Sequence, residues 1–466
     1  MTDALVALAL GLLGLGAAWT LMDWRKGVLV CVVVGFLQDP LRKLWVDEPV
    51  YLTALVGAFL VVVLLGAALR GELLQFAGAE EWRTGLRLPV LAGVAVVLGQ
   101  AARTLVEYDS LELVAIGVAS YLLPAVAAAL AYAFATIASR VRRFLAFYTL
   151  LTAGAASGVY LGFLGYDWTI LEQVGQGLVV FSQEGVPLEV YPGFMRSPEV
   201  AGWHAAAAIC LLVILGTLTK SAGTRLGMGL LVVFLLGAGL LTARRKVPVE
   251  IVLFLLLYWL LLAWARVGAR KATVVAVAAG IVGVALAAEI LDPQEAGPNF
   301  DPYVRHGVTG FAAAPERFTL LGFGSVQWAI QRHGVLGAGA GTGSQGAQHF
   351  GGGAVLVGGA PEGGLGKVAT ELGVPGLLVS AWLAVALARA LWRSARQLAR
   401  IQPELAPLGY GLLGFLAANA VTFLVASQVY GDLFVLLILG WAAGFALAGP
   451  RLTETTPPVA PAAGWR

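Results

Sequence analysis

Repeated apolar runs of about 20 residues are the feature that most restricts what this 466-residue chain can fold into. As a helix, a run of that length crosses a hydrocarbon core roughly 30 Å thick, and its backbone groups bond within the segment. Charged residues make up 12% of the chain, against roughly 25% in a soluble globular domain. A membrane barrel would show short alternating strands instead. The sequence therefore predicts an all-α polytopic membrane protein.

The apolar runs predict about 12–13 transmembrane helices and one large loop. The predicted spans are 4–22, 27–38, 50–69, 88–106, 114–138, 144–165, 200–217, 226–242, 248–264, 272–291, 373–392, 407–427 and 431–448. If these spans alternate, most basic clusters fall on one side, which the positive-inside rule assigns to the cytoplasm. The chain then divides into an N-terminal bundle (1–291), a periplasmic loop with amphipathic helices (292–372), C-terminal spans (373–449) and a disordered cytoplasmic tail (450–466). The expected location is the bacterial inner membrane.

The segment 242–246 is an exception to this charge pattern, because it places Arg244, Arg245 and Lys246 on the outer side. A milder exception is the segment 38–43. Charge near the hydrocarbon is costly and needs a reason. Either a span is misassigned, or these arginines face an anionic ligand at the outer boundary of the membrane.

A helix start follows Arg196 in the second outer loop. Ser197 suits the N-cap, Pro198 the first helical position and Glu199 the first turn. Arg196 could anchor this helix at the head-group level or contact a ligand.

The long polar interval contains a further predicted helix and a glycine-rich run. Pro315 can begin a helix that reaches His333, with a rough apolar stripe typical of a helix on the membrane surface. The run 337–344 follows, in which glycines could let backbone N–H groups approach an anion or could form a flexible lid. The run lacks the Lys-Ser/Thr ending of a Walker loop, so a nucleotide site is not expected. The four histidines are scattered and no paired carboxylates stand out, so neither a metal nor a cofactor is predicted.

Several motifs, taken in order over about 150–400, resemble the bacterial O-antigen ligase and O-antigen polymerase superfamily. Residues 241–245 are similar to its "L-T-x-S-R", and 196–202 to its "R…NPn..g" helix start. Arg317, Trp328 and the run 334–341 resemble its "R…W..A…hPllGvGpG" block. The segments 360–365 and 371–376 resemble its "aHN..L…ElG..G" ending.

The resemblance implies a GT-C-like fold and metal-independent, inverting glycosyl transfer at the periplasmic face. The donor would be an undecaprenyl-pyrophosphate-linked oligosaccharide, and the acceptor another lipid-linked repeat or a lipid A-core sugar; membrane lipids are expected partners and nucleic acid is not. The expected catalytic residues are Glu362, Arg245 and Arg196. Residues expected to bind the pyrophosphate or glycan are Arg244, Arg317, Arg305, His349 and Lys367.

Two positions depart from the family pattern. Glu362 stands where the ligases have a histidine thought to act as base, which favours a polymerase over a ligase, and Arg244 replaces a serine. Glu362 could be the base, or a helix-start carboxylate satisfied by backbone N–H groups and Lys367. A ligase, a lipid-linked oligosaccharide transporter and a protein O-glycosyltransferase remain as alternatives.

Overall fold

The computed structural model describes residues 2–175, 180–181, 187–267, 301–312, 314–344, 347 and 362–453. The helices are α1 (Thr2–Met22), α2 (Trp24–Leu44), α3 (Leu55–Ala68), α4 (Arg87–Tyr108), α5 (Leu111–Phe134), α6 (Ala138–Phe163), α7 (Pro198–Leu218), α8 (Ala222–Leu241), α9 (Lys246–Val267), α10 (Asp301–Ala312), α11 (Ala314–Arg317), α12 (Ser325–His333), α13 (Gly364–Ile401), α14 (Ala406–Val425) and α15 (Leu433–Leu447). A π-helical segment, Phe318–Gly324, joins α11 to α12. The strands β1 (Val180–Phe181) and β2 (Pro187–Leu188) pair antiparallel.

Nine helical segments of the described chain are long and apolar enough to cross a membrane, which confirms an all-α, multi-pass membrane protein. They are Val50–Ala68, Trp82–Tyr108, Leu111–Phe134, Ala138–Phe163, Pro198–Leu218, Ala222–Leu241, Lys246–Ala265, Gly364–Ile401 and Pro403–Val425. Two further apolar helices, Gly11–Met22 and Leu433–Leu447, are shorter. The predicted span 272–291 and most of the predicted tail lie outside the described residues.

Helix α2 is longer than the predicted span 27–38, because its polar end is buried rather than exposed. Asp39, Arg42 and Lys43 all belong to the helix and are at least nine-tenths buried. Lys43 Nζ donates to the backbone carbonyls of Ile170 and Gly193, at 3.1 and 2.7 Å. Lys43 is therefore satisfied within the protein, and Arg42 Nε donates to the Glu48 carbonyl at 2.9 Å.

Helix α7 lies at the centre of the bundle, with 83% of its span buried. It contacts α6, α8, α9 and α14, and its four consecutive alanines, 205–208, allow these helices to approach closely. Ser197 Oγ accepts a hydrogen bond from the Val200 N–H at 3.4 Å and Pro198 follows it, so the helix start is as predicted. The centre of the fold thus fixes the position of Glu199 in the first turn of α7.

The helices define two ends of the bundle. We call the end at which α7, α9 and α13 begin the upper end, and the opposite end the lower end. Basic residues gather at the lower end, at the start of α6, between α7 and α8, and at the end of α13. They are Arg140, Arg142, Arg143, Lys220, Arg225, Arg393, Arg396 and Arg400.

Helix α13 is broken at Gly373, two residues before Pro375. Gly373 has φ 66° and ψ −164°, a backbone conformation that favours glycine. The break lets Val374 N–H donate to the carbonyl of Val335 at 2.8 Å, so the segment after α12 is bonded into the gap.

The glycine-rich run 337–344 is neither an anion cradle nor a lid in the described structure. Its Ala338 N–H donates to the Thr370 carbonyl at 2.6 Å, and its Gly343 N–H donates to Glu371 Oε1 at 3.1 Å. Ala340 is fully buried and its carbonyl accepts from Thr104 Oγ1 at 2.9 Å. The glycines serve close packing against α4, α5 and α13, because a side chain at Gly341 would collide with the backbone of Leu113.

Candidate functional site

An open cavity of about 350 Å³ lies at the upper end, between the starts of α7 and α9, helices α10 and α11, and the end of α14. Its charged and titratable lining residues are Glu199, Arg244, Arg245, Lys246, His306, Arg317 and Glu362. Four of the eight residues predicted to form the site therefore meet here: Arg244, Arg245, Arg317 and Glu362.

A tight turn between α8 and α9 directs two arginines into the cavity. Ala243 has φ 51°, a left-handed conformation that costs an alanine roughly 1–2 kcal/mol. The turn is held by a hydrogen bond from the Ala243 N–H to the Leu240 carbonyl at 2.8 Å, and Ala243 is buried. Such strain persists where the surroundings enforce it, often at functional sites.

Arg244 is fixed by Glu199 and keeps spare donors. Its Nη1 lies 2.8 Å from Glu199 Oε1, while its buried Nε and Nη2 have no partner among the described residues. Burial lowers the pKa of Arg244 and the Glu199 carboxylate opposes that shift. Guanidinium groups stay charged in proteins, so Arg244 contributes a cation whose hydrogen-bonding capacity is only partly used.

Arg245 and Arg317 form no ion pair with any described carboxylate. Burial lowers the pKa of Arg245, and the like charge of Arg317 adds to that shift, so the two guanidinium groups repel across the cavity. Arg245 Nε donates to His306 Nε2 at 3.2 Å. An anion between the two arginines would relieve their repulsion.

The backbone of Glu362 is held at the edge of this cavity while its side chain stays exposed. Its carbonyl accepts from the Ser427 N–H at 2.6 Å. Gly363 packs on the Leu321 carbonyl and Gly364 on Phe423, where side chains would collide. The carboxylate therefore stands on a fixed backbone between the α11–α12 segment and the end of α14.

The cavity has a net positive lining and one apolar wall. Four cations, Arg244, Arg245, Lys246 and Arg317, face two carboxylates, Glu199 and Glu362, so positive charges exceed negative ones by two. Burial, and then Arg245, lowers the pKa of His306 to about 4, so His306 is neutral at physiological pH. The apolar wall runs down one turn each of α9 and α14 and consists of Val249, Leu253, Val421 and Val425.

Arg196, which is predicted to be catalytic, does not line the cavity. Its guanidinium forms an ion pair with Asp432 and lies 3.9 Å from Asp39, and its own N–H donates to Asp39 Oδ2 at 2.9 Å. Asp432 also caps α15 through the N–H groups of Phe434 and Val435. Arg196 thus forms ion pairs through Nη1 that join α2, α15 and the start of α7.

The remaining three predicted residues are not gathered at the cavity either. Lys367 is buried, its Nζ lies 2.6 Å from Glu371 Oε1 and it does not line the cavity, so this lysine pairs with Glu371 rather than with Glu362. Arg305, on α10, is not among the lining residues. His349 lies outside the described residues.

Sequence reasoning did not select His306, Lys246 or Glu199 as site residues. The sequence does contain a pattern that indicates a role for His306 in packing or binding. Small or polar residues recur at a helical spacing, so that they lie on one face of α10: Tyr303, His306, Gly307 and Gly310. Glu199 was visible only as a helix-start residue, because its partner Arg244 lies 45 positions later in the sequence.

No protein-family model and no curated protein matches this chain at a significant level.

Proposed function

We propose that the protein is a glycosyltransferase that acts on polyprenyl-pyrophosphate-linked glycans, and that it most closely fits a surface-polysaccharide polymerase. The observation that supports this proposal best is the cluster of Arg244, Arg245 and Arg317, which is short of carboxylate partners and faces Glu362 across one cavity.

The arginine cluster suits a pyrophosphate better than an isolated carboxylate. Guanidinium groups match phosphate oxygens in geometry and remain charged at any physiological pH. The N-terminus of α9 adds the positive end of a helix dipole at the same place. Together these groups offer several donors to a ligand with more than one negative charge.

Glycosyl transfer needs a base, a stabilised leaving group and a fixed geometry between them. Glu362 would accept the proton of the acceptor hydroxyl as that oxygen attacks the anomeric carbon. The bond from the anomeric carbon to the pyrophosphate oxygen breaks, and Arg245, Arg317 and Arg244 stabilise the charge that develops on the leaving pyrophosphate. Donors placed for that developing charge lower the barrier rather than only tightening binding.

The apolar wall supports a lipid-borne substrate. Val249 and Leu253 on α9 lie one turn apart, as do Val421 and Val425 on α14, and all four line the cavity below the cations. An isoprenoid chain could leave the arginine cluster along this wall and pass into the bilayer, because it meets only apolar side chains there. A soluble nucleotide sugar would leave this surface uncovered.

The charge distribution supports a periplasmic site. Basic residues concentrate at the lower end, and the positive-inside rule places such an end in the cytoplasm. The cavity at the upper end would then open towards the periplasm of a bacterial inner membrane.

The test uses the full-length protein in lipid nanodiscs, supplied with a lipid-linked oligosaccharide repeat as the only glycan. A polymerase is expected to make longer chains and release polyprenyl pyrophosphate. A ligase or a protein transferase would remain inactive until a different acceptor is added, and a transporter would cleave no glycosidic bond under any of these conditions.

Variants connect the activity to the cavity. We expect Glu362→Gln to reduce chain extension by about 10²–10⁴-fold, the usual contribution of a general base, while inorganic pyrophosphate still binds. Glu404→Gln is the matched control, because it neutralises an exposed carboxylate that does not line the cavity. Wild-type chain length and yield in Glu362→Gln would remove Glu362 from the mechanism, and an absence of glycosidic cleavage with every acceptor would refute the transferase proposal.

A further inference from the structure

We infer that His306 is a positioning residue: its neutral imidazole accepts a hydrogen bond from Arg245 Nε and so aims the rest of that guanidinium at the anion. This inference builds on the proposed pyrophosphate site and concerns how its central cation is held.

The hydrogen bond fixes one face of Arg245. A guanidinium has five N–H donors and no acceptor, so any hydrogen-bond partner must supply a lone pair. The donation from Arg245 Nε to His306 Nε2, at 3.2 Å, uses one donor at the base of the group. Among the described residues no side chain is bonded to Nη1 or Nη2, so their four N–H bonds remain for a ligand, in a plane that His306 sets.

The imidazole must be neutral to accept this bond. His306 is 4% exposed and faces three cations, Arg244 on the turn before α9, Arg245 beside it and Arg317 at the end of α11. These charges and the burial both oppose protonation of the ring. Because Nε2 accepts from Arg245, the ring proton lies on Nδ1.

The same arrangement argues against His306 as the general base. Nε2 is occupied by Arg245, and Nδ1 carries the ring proton and is buried beside the backbone of Ala243. Neither nitrogen is free to take a proton from a substrate. His306 therefore acts on the ligand through Arg245.

Helix α10 is docked so that His306 reaches Arg245. Gly310 lies against the backbone of Arg245, where an added Cβ would come within 3.0 Å of the Arg245 Cβ and carbonyl oxygen. Gly307 similarly faces Leu240 and Pro248. Tyr303, on the same face, donates to the Glu189 carbonyl at 3.0 Å. One face of α10 is thus packed onto the turn that carries the two arginines.

The test measures binding of inorganic pyrophosphate to the full-length protein in nanodiscs, with variants that keep or remove the acceptor. His306→Gln retains a side-chain oxygen near the position of Nε2, and we expect its affinity to stay within about threefold of wild type. His306→Leu removes the acceptor, and we expect binding about tenfold weaker, in line with the loss of a hydrogen bond to a charged group. His306→Asn is polar but too short to reach Arg245, so it should resemble His306→Leu.

A second pair of variants separates positioning from a general loss of structure. Arg245→Lys has no donor equivalent to Nε, so in that background His306→Gln and His306→Leu should bind pyrophosphate equally. His333 supplies the matched control, because it ends α12 and does not line the cavity. His333→Gln and His333→Leu should both bind like wild type, and thermal unfolding of each variant reports whether it is folded.

Equal affinities for folded His306→Gln, His306→Leu and wild type would overturn the inference. So would a difference between His306→Gln and His306→Leu that persists unchanged in the Arg245→Lys background. The proposed function fails separately, and the inference with it, if Arg245→Ala binds pyrophosphate as tightly as wild type.

Discussion

Two groups of arginine at the upper end differ in what surrounds them. Arg196 lies between the carboxylates of Asp432 and Asp39, and its ion pairs tie three parts of the chain together. Arg245 and Arg317 lie in a cavity in which no described carboxylate pairs with them, and they raise each other's electrostatic free energy. A cation with its counter-charges in place holds a fold together, whereas a cluster without them is prepared for an anion that arrives from outside.

The largest effect that follows from this difference is on stability at Arg196. Arg196→Ala would leave Asp432 and Asp39 buried without their cation, which typically costs about 3–5 kcal/mol. We expect a clearly lowered unfolding temperature in detergent, while the fraction that remains folded binds pyrophosphate normally. A stable Arg196→Ala protein that has lost pyrophosphate binding would reverse the assignment and return Arg196 to the ligand site.

Arg245→Ala should show the opposite pattern. Removing a donor to a developing charge typically costs about 3–4 kcal/mol in the transition state, or roughly 10²–10³-fold in rate. Its unfolding temperature should not fall, because the repulsion with Arg317 disappears. The rate of polyprenyl-pyrophosphate release and a thermal unfolding curve, measured on the same preparation, test both statements.

The sequence predicted the fold class and much of the cavity, since both depend on local patterns. Spans follow from runs of apolar residues, and Arg244 and Arg245 are consecutive in the sequence, in a short polar segment between two apolar runs. The role of Arg196 could not be read in the same way, because its counter-charges lie 157 and 236 positions away. Residues 196–202 resemble the family's helix start, yet only the tertiary fold shows that the Arg196 guanidinium is already paired with Asp432.

Lys367 also shows that a contact is easier to predict when its two residues are close in the sequence. Its partner Glu371 is four residues later, one helical turn away, so the pair could be recognised from the sequence as an alternative to ligand binding. The hydrogen bond from the Gly343 N–H to Glu371 could not be recognised from the sequence, because these two residues are 28 positions apart. The glycines of that run are structural because they allow close packing against neighbouring helices, which the glycine content of the sequence does not reveal.

The pH dependence of stability tests the arginine–histidine contact with a somewhat smaller effect. The pKa of His306 is lowered to about 4 by burial and by Arg245, against 6.5 in an unfolded chain. Between pH 4 and pH 6.5 the unfolded state binds a proton at this ring that the folded state does not bind. The free energy of unfolding therefore decreases by up to ~3 kcal/mol as the pH falls from about 6.5 towards 4. His306→Gln should lose less stability than wild type over this window in thermal unfolding scans. If the unfolding temperatures of wild type and His306→Gln changed equally with pH, the His306 ring would not stay neutral in the folded protein.

The smallest expected effect is at Arg317, which lines the cavity but is exposed. Solvent and salt screen such a charge, so Arg317→Ala should weaken pyrophosphate binding by about 1 kcal/mol, and by less as the salt concentration rises. Arg332→Ala is the matched control, because Arg332 is an exposed cation on α12 that does not line the cavity. Equal losses from both variants would indicate a general effect of net charge rather than a site.

The most direct test of the account compares pyrophosphate affinity in nanodiscs for wild type, Arg245→Ala and Arg332→Ala at one low salt concentration. The account predicts that wild type and Arg332→Ala bind alike and that Arg245→Ala binds about 100-fold more weakly, a difference of roughly 2.7 kcal/mol. Indistinguishable affinities in the three proteins would contradict the claim that the under-paired arginines form an anion site.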